Sequence, residues 1–209
     1  SLSVGVSASQ GAFAAEGQER NFDESGALRT VTEEYGAFTD SFGSVFVEVG
    51  LNDVISVGVD YVPSDIATPE NQSREGSGTS AAASSAGGNN PGSSKVSVNF
   101  ENLTTVYLKA NLPLGGTYLK AGFHETDVIV NETMSSGNTY KDTTTEGYSA
   151  GLGYAHEIDG GFAIRAEVLA MSFEDVSANN GVATTGNHNK IEVDSMWGVR
   201  GTVSIVKSF

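Results

Sequence analysis

The residues of this chain that could do chemistry are charged side chains set within segments of alternating apolar residues. Each lies on the polar face of its segment, and its neighbours in sequence form the opposite, apolar face. They are Glu48, Asp60, Lys109, Lys120, Arg165, Glu167 and Arg200. Acidic and basic side chains that share a low-dielectric interior pair with each other, because an unpaired buried charge is strongly unfavourable. The pattern therefore predicts an interior ionic cluster.

The chain offers little for catalysis or metal binding. Its three histidines, His124, His156 and His188, are scattered, and it has no cysteine. Covalent catalysis by serine needs a histidine base beside the nucleophile, and no such constellation is recognisable. We therefore expect no catalytic residue, no enzyme activity, no cofactor and no transition-metal site. Acidic loops could hold Ca²⁺ weakly, although the Asp-x-Asp-x-Asp spacing of a calcium loop is absent.

The bulk composition excludes several classes of protein. The formal net charge of −15 disfavours a nucleic-acid partner, which needs clustered Lys and Arg. The mean hydropathy is −0.16, and no run of about 18 apolar residues occurs, so the sequence predicts no transmembrane helix. Ser1 begins a strand pattern directly, without a signal peptide, as expected for the mature form of an exported protein.

Eight segments show the period-2 alternation of strands that have one apolar face. We predict strands at 1–10, 44–51, 54–62, 96–112, 117–130, 143–156, 162–173 and 191–209. In the seventh segment, Leu169, Met171 and Phe173 fall on the otherwise polar face, and this break in parity predicts a β-bulge.

Short and long connections alternate along the chain. Tight turns join the second and third, the fourth and fifth, and the sixth and seventh strands, whereas the other connections are long and polar. The first long connection is the acidic segment 16–40, and the second, 63–95, is rich in Ser, Gly and Ala and is predicted to be a flexible loop. Residues 1–209 are predicted to form a single domain with both termini on the short-turn side. A membrane barrel sorts its loops in this way, whereas a soluble sandwich has no reason to do so.

The C-terminal stretch supports the same interpretation. Val199, Val203 and Ile205 share one parity with the terminal Phe209. The chain resembles the bacterial outer-membrane β-barrel proteins, especially the eight-stranded group that contains the OmpA transmembrane domain, OmpX and the opacity proteins. In that family a terminal Phe after alternating apolar residues is read by the insertion machinery. Lys207 departs from the family pattern, because an aromatic residue often stands at that position.

The resemblance implies an all-β fold class: an eight-stranded antiparallel up-and-down transmembrane β-barrel with short periplasmic turns and long extracellular loops, in the bacterial outer membrane. It also implies three kinds of partner, which are outer-membrane lipids and lipopolysaccharide, the barrel-insertion machinery, and an unidentified surface ligand. Trp197 and Phe209 lie twelve positions apart on the outward parity. That is roughly 30 Å along the membrane normal, so we expect them as aromatics at the two membrane interfaces.

Inside an eight-stranded barrel the charged residues would face a lumen that side chains fill. Two tiers are expected, a lower one of Glu48, Lys109, Lys120, Arg165 and Glu167, and an upper one of Asp60, His124 and Arg200. In the OmpA-like group such inward acids and bases form a network, so the resemblance implies an interior plugged by charged residues.

Two functions remain open at this stage. One is a structural or interaction barrel, non-enzymatic, whose long acidic loops contact other surfaces at the cell exterior. The alternative is a small-solute porin with a narrow pore. Single-channel conductance in a planar bilayer separates the two.

Overall fold

The computed structural model describes residues 1–22, 25–74, 93–133, 140–179 and 189–209. These residues form eleven strands: β1 (Leu2–Phe22), β2 (Leu28–Gly50), β3 (Ile55–Tyr61), β4 (Ile66–Ala67), β5 (Asn71–Arg74), β6 (Ser93–Asn111), β7 (Thr117–Thr133), β8 (Thr143–Ile158), β9 (Phe162–Phe173), β10 (Val176–Asn179) and β11 (Asn189–Ser208). No helix in the described part of the chain is long and apolar enough to cross a membrane.

Eight of these strands close into a barrel. The order is β1-β2-β3-β6-β7-β8-β9-β11, and β11 pairs back onto β1. Every pair is antiparallel, and Val6 of β1 lies opposite Val45 of β2 on one side and Ile205 of β11 on the other. The predicted fold class is therefore confirmed.

The exterior of the barrel is an apolar band. Side chains such as Val6, Leu152 and Val203 point away from the lumen and are 57–59% exposed. Charged and hydroxyl side chains on the alternate positions are buried inside. A protein surrounded by water rarely exposes apolar surface on this scale, whereas lipid solvates it.

The first two strands are longer than predicted. β1 and β2 stay paired up to Phe22 and Leu28, so the prediction of a polar loop over 16–40 is wrong. Only 23–27 connects the two strands. The sequence missed these extensions because they rise beyond the apolar band, where the outer face of a strand meets water and needs no apolar residue.

The predicted bulge in β9 is also wrong. β9 pairs with β8 and β11 without a register shift, and Leu169 and Met171 simply continue the inward-facing set. Bulges occur elsewhere, at Asn102 in β6 and Ser195 in β11, where the backbone φ is 56° and 53°. Above Asn102 the parity of β6 inverts, so Phe100, which has the same parity in sequence as the exposed Val106 and Leu108, packs against the core inside the barrel.

The predicted loop 63–95 is partly strand. β4 and β5 both pair with β6, and β6 itself begins at Ser93. The middle of the predicted loop, 75–92, lies outside the described residues.

A closed barrel of this kind resists detergent unless it is heated. We expect unboiled protein to migrate differently from boiled protein on a denaturing gel, because the hydrogen-bonded cylinder stays compact when sodium dodecyl sulfate coats it. Identical mobility of the two samples would contradict a stable membrane barrel.

Candidate functional site: the lumen

The lower part of the lumen is built around Glu48. Its carboxylate accepts hydrogen bonds from Lys109 Nζ at 2.5 Å and from Arg165 Nη1 and Nη2 at 2.9 and 3.1 Å. The hydroxyl of Tyr107 donates to the same carboxylate at 3.1 Å. Glu48 is 3% exposed, so it has exchanged water for two cations and a phenol.

A second acid, Glu167, completes this layer. Lys120 Nζ lies 3.0 Å from its Oε2, and the hydroxyl of Tyr118 donates to its Oε1 at 2.8 Å. The two lysines, Lys109 and Lys120, stand directly opposite each other on β6 and β7. Their repulsion is relieved because each one binds a different carboxylate.

The same local arrangement brings both tyrosine hydroxyls to their carboxylates. Gly58 lies in register between Glu48 and Tyr107, and Gly153 lies in register between Tyr118 and Glu167. Each ring lies over the glycine, because a Cβ there would stand 2.4 Å from the ring Cζ. The missing side chain therefore lets each phenol reach an acid two strands away.

Each lysine also lies near the ring of the tyrosine that binds the other carboxylate. Lys120 Nζ lies 4.0 Å from the centre of the Tyr107 ring, and Lys109 Nζ lies 5.3 Å from the Tyr118 ring. Cation–π contacts of desolvated lysines are favourable, and here they join the Glu48 unit to the Glu167 unit. The predicted lower tier is thus one connected network.

The upper tier contains Asp60 and Arg200. Arg200 Nη1 lies 3.3 Å from Asp60 Oδ1, and the guanidinium also donates to the hydroxyls of Ser9 and Ser44 at 3.0 Å. Ser44 in turn donates to Asp60 at 2.9 Å. Every charged residue that the sequence placed on the polar face is therefore buried in the lumen and has a partner of opposite charge.

His124 has a different environment from the one predicted. The structure sets its ring 4.6 Å from the ring of Phe173, and Nε2 lies 3.1 Å from the carbonyl oxygen of Ser172. It is fully buried. It belongs to an apolar layer rather than to the tier of Asp60 and Arg200.

Sequence reasoning missed this apolar layer. Phe13, Phe38, Phe100 and Phe173 come from four strands and form a ring of four contacts, with centroids 5.3–6.4 Å apart. We call these four residues the aromatic floor. Together with Ile66, Leu103 and Met196 they leave a gap of only about 10 Å³. The available signal was the apolar run on the inner parity of β9, which we interpreted as a bulge.

The predicted interface aromatics are both exposed. Trp197 is 52% exposed within β11 and faces outward, and Phe209, the residue directly after β11, is 73% exposed. Lys207, where the family often has an aromatic, places its ammonium 4.5 Å from the Phe162 ring and 5.7 Å from the Phe209 ring. The lysine joins two aromatics at this edge.

A closed antiparallel barrel of eight strands with an apolar exterior and charges inside is a transmembrane β-barrel of the bacterial outer-membrane type. This chain is one, and its place is the bacterial outer membrane.

Comparison with known proteins agrees at the level of the fold. No protein-family model and no curated protein matches the sequence. The outer membrane protein OprG from Pseudomonas aeruginosa is similar in structure, with a TM-score of 0.50 and 15% identity over 98% of this chain and 97% of that chain. The outer membrane protease OmpT from Escherichia coli has a TM-score of 0.47 and 11% identity over 99% and 97%. The N-terminal β-barrel domain of Pseudomonas aeruginosa OprF has a TM-score of 0.37 and 12% identity over 94% and 96%.

The comparison corrects one expectation. We predicted from the sequence that the chain is not an enzyme. That prediction is contradicted, because a protease, OmpT, is among the barrels of similar structure. The identity of 11% carries the fold and no catalytic residue.

Above the apolar band, a small ion cluster joins β1 and β11. Lys190 Nζ donates to Glu192 at 2.5 Å, and Arg20 Nε lies 3.2 Å from the other oxygen of that carboxylate. The hydrogen bond from Lys190, aided by the charges of Lys190 and Arg20, holds the pKa of Glu192 below its ordinary value.

We expect Lys190→Met to raise the pKa of Glu192 toward the ordinary value of about 4.3. Carboxyl-carbon NMR titration measures this, with Glu157→Gln as a control that leaves the cluster intact. Because the folded pKa is depressed, the pair stabilises the extension above the unfolded pKa, and this stabilisation is lost as the pH falls through the folded pKa. An unchanged pKa of Glu192 in Lys190→Met would show that the pair does not form in solution.

Proposed function

We propose that this protein is a closed barrel that works at the cell surface as a structural or interaction protein. The single observation that supports the proposal is that two different layers of side chains cross the lumen, one above the other, and we propose that they close it. The lower layer is the paired network around Glu48 and Glu167. The upper layer is the aromatic floor, whose remaining gap of about 10 Å³ holds no more than about one water molecule.

The surface that would make contacts is the extracellular end. β1 and β2 rise beyond the apolar band, and acids such as Glu16 and Glu33 are exposed on them. We propose outer-membrane lipid and lipopolysaccharide as the molecules around the barrel, the insertion machinery as the partner of the C-terminal strand, and a surface ligand as the partner of this end.

A narrow porin remains the second candidate, and one observation favours it. A polar cavity of about 640 Å³ opens at the periplasmic end and reaches Lys109 and Arg165. Solutes could therefore approach the network from below, and rearrangement of the ion pairs would be one way to open a path.

Single-channel recording in planar bilayers decides between the two. We expect the purified wild-type protein to insert and to give no resolved conductance steps, because the two layers exclude ions from the lumen. Heat-modifiable mobility of the reconstituted protein shows that it has inserted in folded form. Regular, long-lived open events of the wild type would overturn the closed barrel in favour of the porin.

A further inference from the structure

A cavity occupies the extracellular end of the lumen, directly above the aromatic floor. Its volume is about 310 Å³, and Phe38, Phe100 and Met196 line both this cavity and the floor beneath it. We call it the vestibule. Its walls come from β1, β2, β6, β7, β8, β10 and β11, together with residues near β4 and β8.

The vestibule is apolar because of the two bulges. Below Ser195, the odd-numbered residues of β11, such as Trp197 and Val199, face outward, whereas above it Ile191 and Val193 line the vestibule. The bulge at Asn102 similarly turns Val98 and Phe100 of β6 inward. Both strands therefore carry apolar residues to the lipid below the bulge and to the lumen above it.

Contact with the membrane does not explain this inversion of the inward and outward faces. The vestibule lies in the part of the barrel that extends beyond the apolar band, where a lumen open to water would ordinarily be lined by polar side chains. Apolar surface held open to water is unfavourable by roughly 25 cal/mol per Å². The lining thus matches an apolar occupant.

The described residues leave this space open. A separate small molecule is the occupant that its size and apolar lining fit.

The charge of the site selects the kind of molecule. None of the side chains that line the vestibule is charged. Glu16, between two lining residues of β1, and Asp194, next to Val193, occupy adjacent positions of the same strands, and Glu192 is paired with Lys190 and Arg20. An anionic headgroup would lose its hydration and would find no cation among the lining side chains.

We propose that the vestibule binds one small, uncharged apolar molecule from the cell exterior. An apolar cavity of about 150 Å³ takes one benzene ring, so a space of roughly twice that volume fits a two-ring aromatic of about ten non-hydrogen atoms. The site ends at the aromatic floor, so the barrel holds the molecule at its outer end. This inference does not depend on whether the lumen conducts ions.

Methionine-methyl NMR of the protein in lipid nanodiscs tests the proposal. Met196 lines the vestibule, whereas Met171 belongs to the buried cluster of the floor and does not line it. Titration with 2-naphthol should shift the Met196 methyl resonance saturably and leave Met171 nearly unchanged. Titration with 2-naphthoate, which is anionic at neutral pH, should need at least about ten-fold more ligand, since its carboxylate loses hydration without gaining a partner.

A cavity-filling variant provides the second arm. Ala178 of β10 is half-buried and lines the vestibule, and Ala170 of β9 is exposed on the outside of the barrel. Ala178→Trp should weaken 2-naphthol binding at least about ten-fold by occupying the space, whereas Ala170→Trp should not. Heat-modifiable mobility shows that each variant is folded. A shift of the Met196 resonance that never saturates, equal affinity for 2-naphthol and 2-naphthoate, or unchanged binding of 2-naphthol by the folded Ala178→Trp variant would each overturn the proposal.

Discussion

Replacing Glu48 by alanine should lower the free energy of unfolding by about 3–5 kcal/mol, the cost typical of leaving buried charges without their partner. Lys109 and Arg165 both bind this one carboxylate, at 2.5 and 2.9 Å, and both are almost fully buried. Without it, two cations remain side by side in a lumen where Glu167 already serves Lys120. Urea unfolding followed by the fluorescence of Trp197, the single tryptophan, measures the change.

The matched control is Glu157→Ala. Glu157 is an exposed glutamate near the periplasmic end of β8, so its removal should change the unfolding free energy by less than about 0.5 kcal/mol. Glu48→Ala should still give no resolved conductance steps, because the aromatic floor closes the lumen independently of the ionic network. Equal urea midpoints for the two variants would mean that the paired network contributes nothing to stability.

A single added methyl group at Gly58 should destabilise the barrel by about 1–3 kcal/mol, as overpacking does elsewhere. The new Cβ would stand 2.4 Å from Tyr107 Cζ and 2.7 Å from the carbonyl oxygen of Val47. The ring must move, and its hydroxyl then leaves Glu48, which it now contacts at 3.1 Å. The same urea titration measures the loss.

Gly43→Ala is the control for this substitution. It adds the same methyl group to a barrel strand, but the nearest atom to the new Cβ is the carbonyl oxygen of Ser7 at 3.5 Å, an ordinary contact. We expect Gly43→Ala to be neutral or slightly stabilising, because alanine restricts the unfolded chain more than glycine does. If Gly58→Ala proves as mild as Gly43→Ala, the phenol of Tyr107 is not held by the glycine beneath it.

The combination of the two experiments separates the network from its scaffold. Gly58→Ala should cost less in a Glu48→Ala background than in the wild type, because the hydrogen bond from Tyr107 is then already absent. Strict additivity would show that the tyrosine acts only through packing.

The sequence alone determined the barrel, and it did so where lipid constrains the chain. Within the apolar band the outward positions must be apolar, whereas the inward positions can be polar. Outward residues such as Val45, Leu119 and Val203 therefore mark their strands without ambiguity. The same alternation identified the inward charges, including Glu48 and Arg165. Beyond the band that constraint ends, and the upper halves of β1 and β2 accordingly looked like loop.

Only the tertiary structure decided how these residues meet. Which cation pairs with Glu48, and which phenol reaches it across Gly58, follow from the register of strands that are far apart in sequence. The bulges at Asn102 and Ser195 were equally hidden, because one residue in a left-handed conformation inverts the parity of everything above it without changing the composition. Period-2 alternation therefore specified which residues belong to one face, while register and bulges determined which face is the inside.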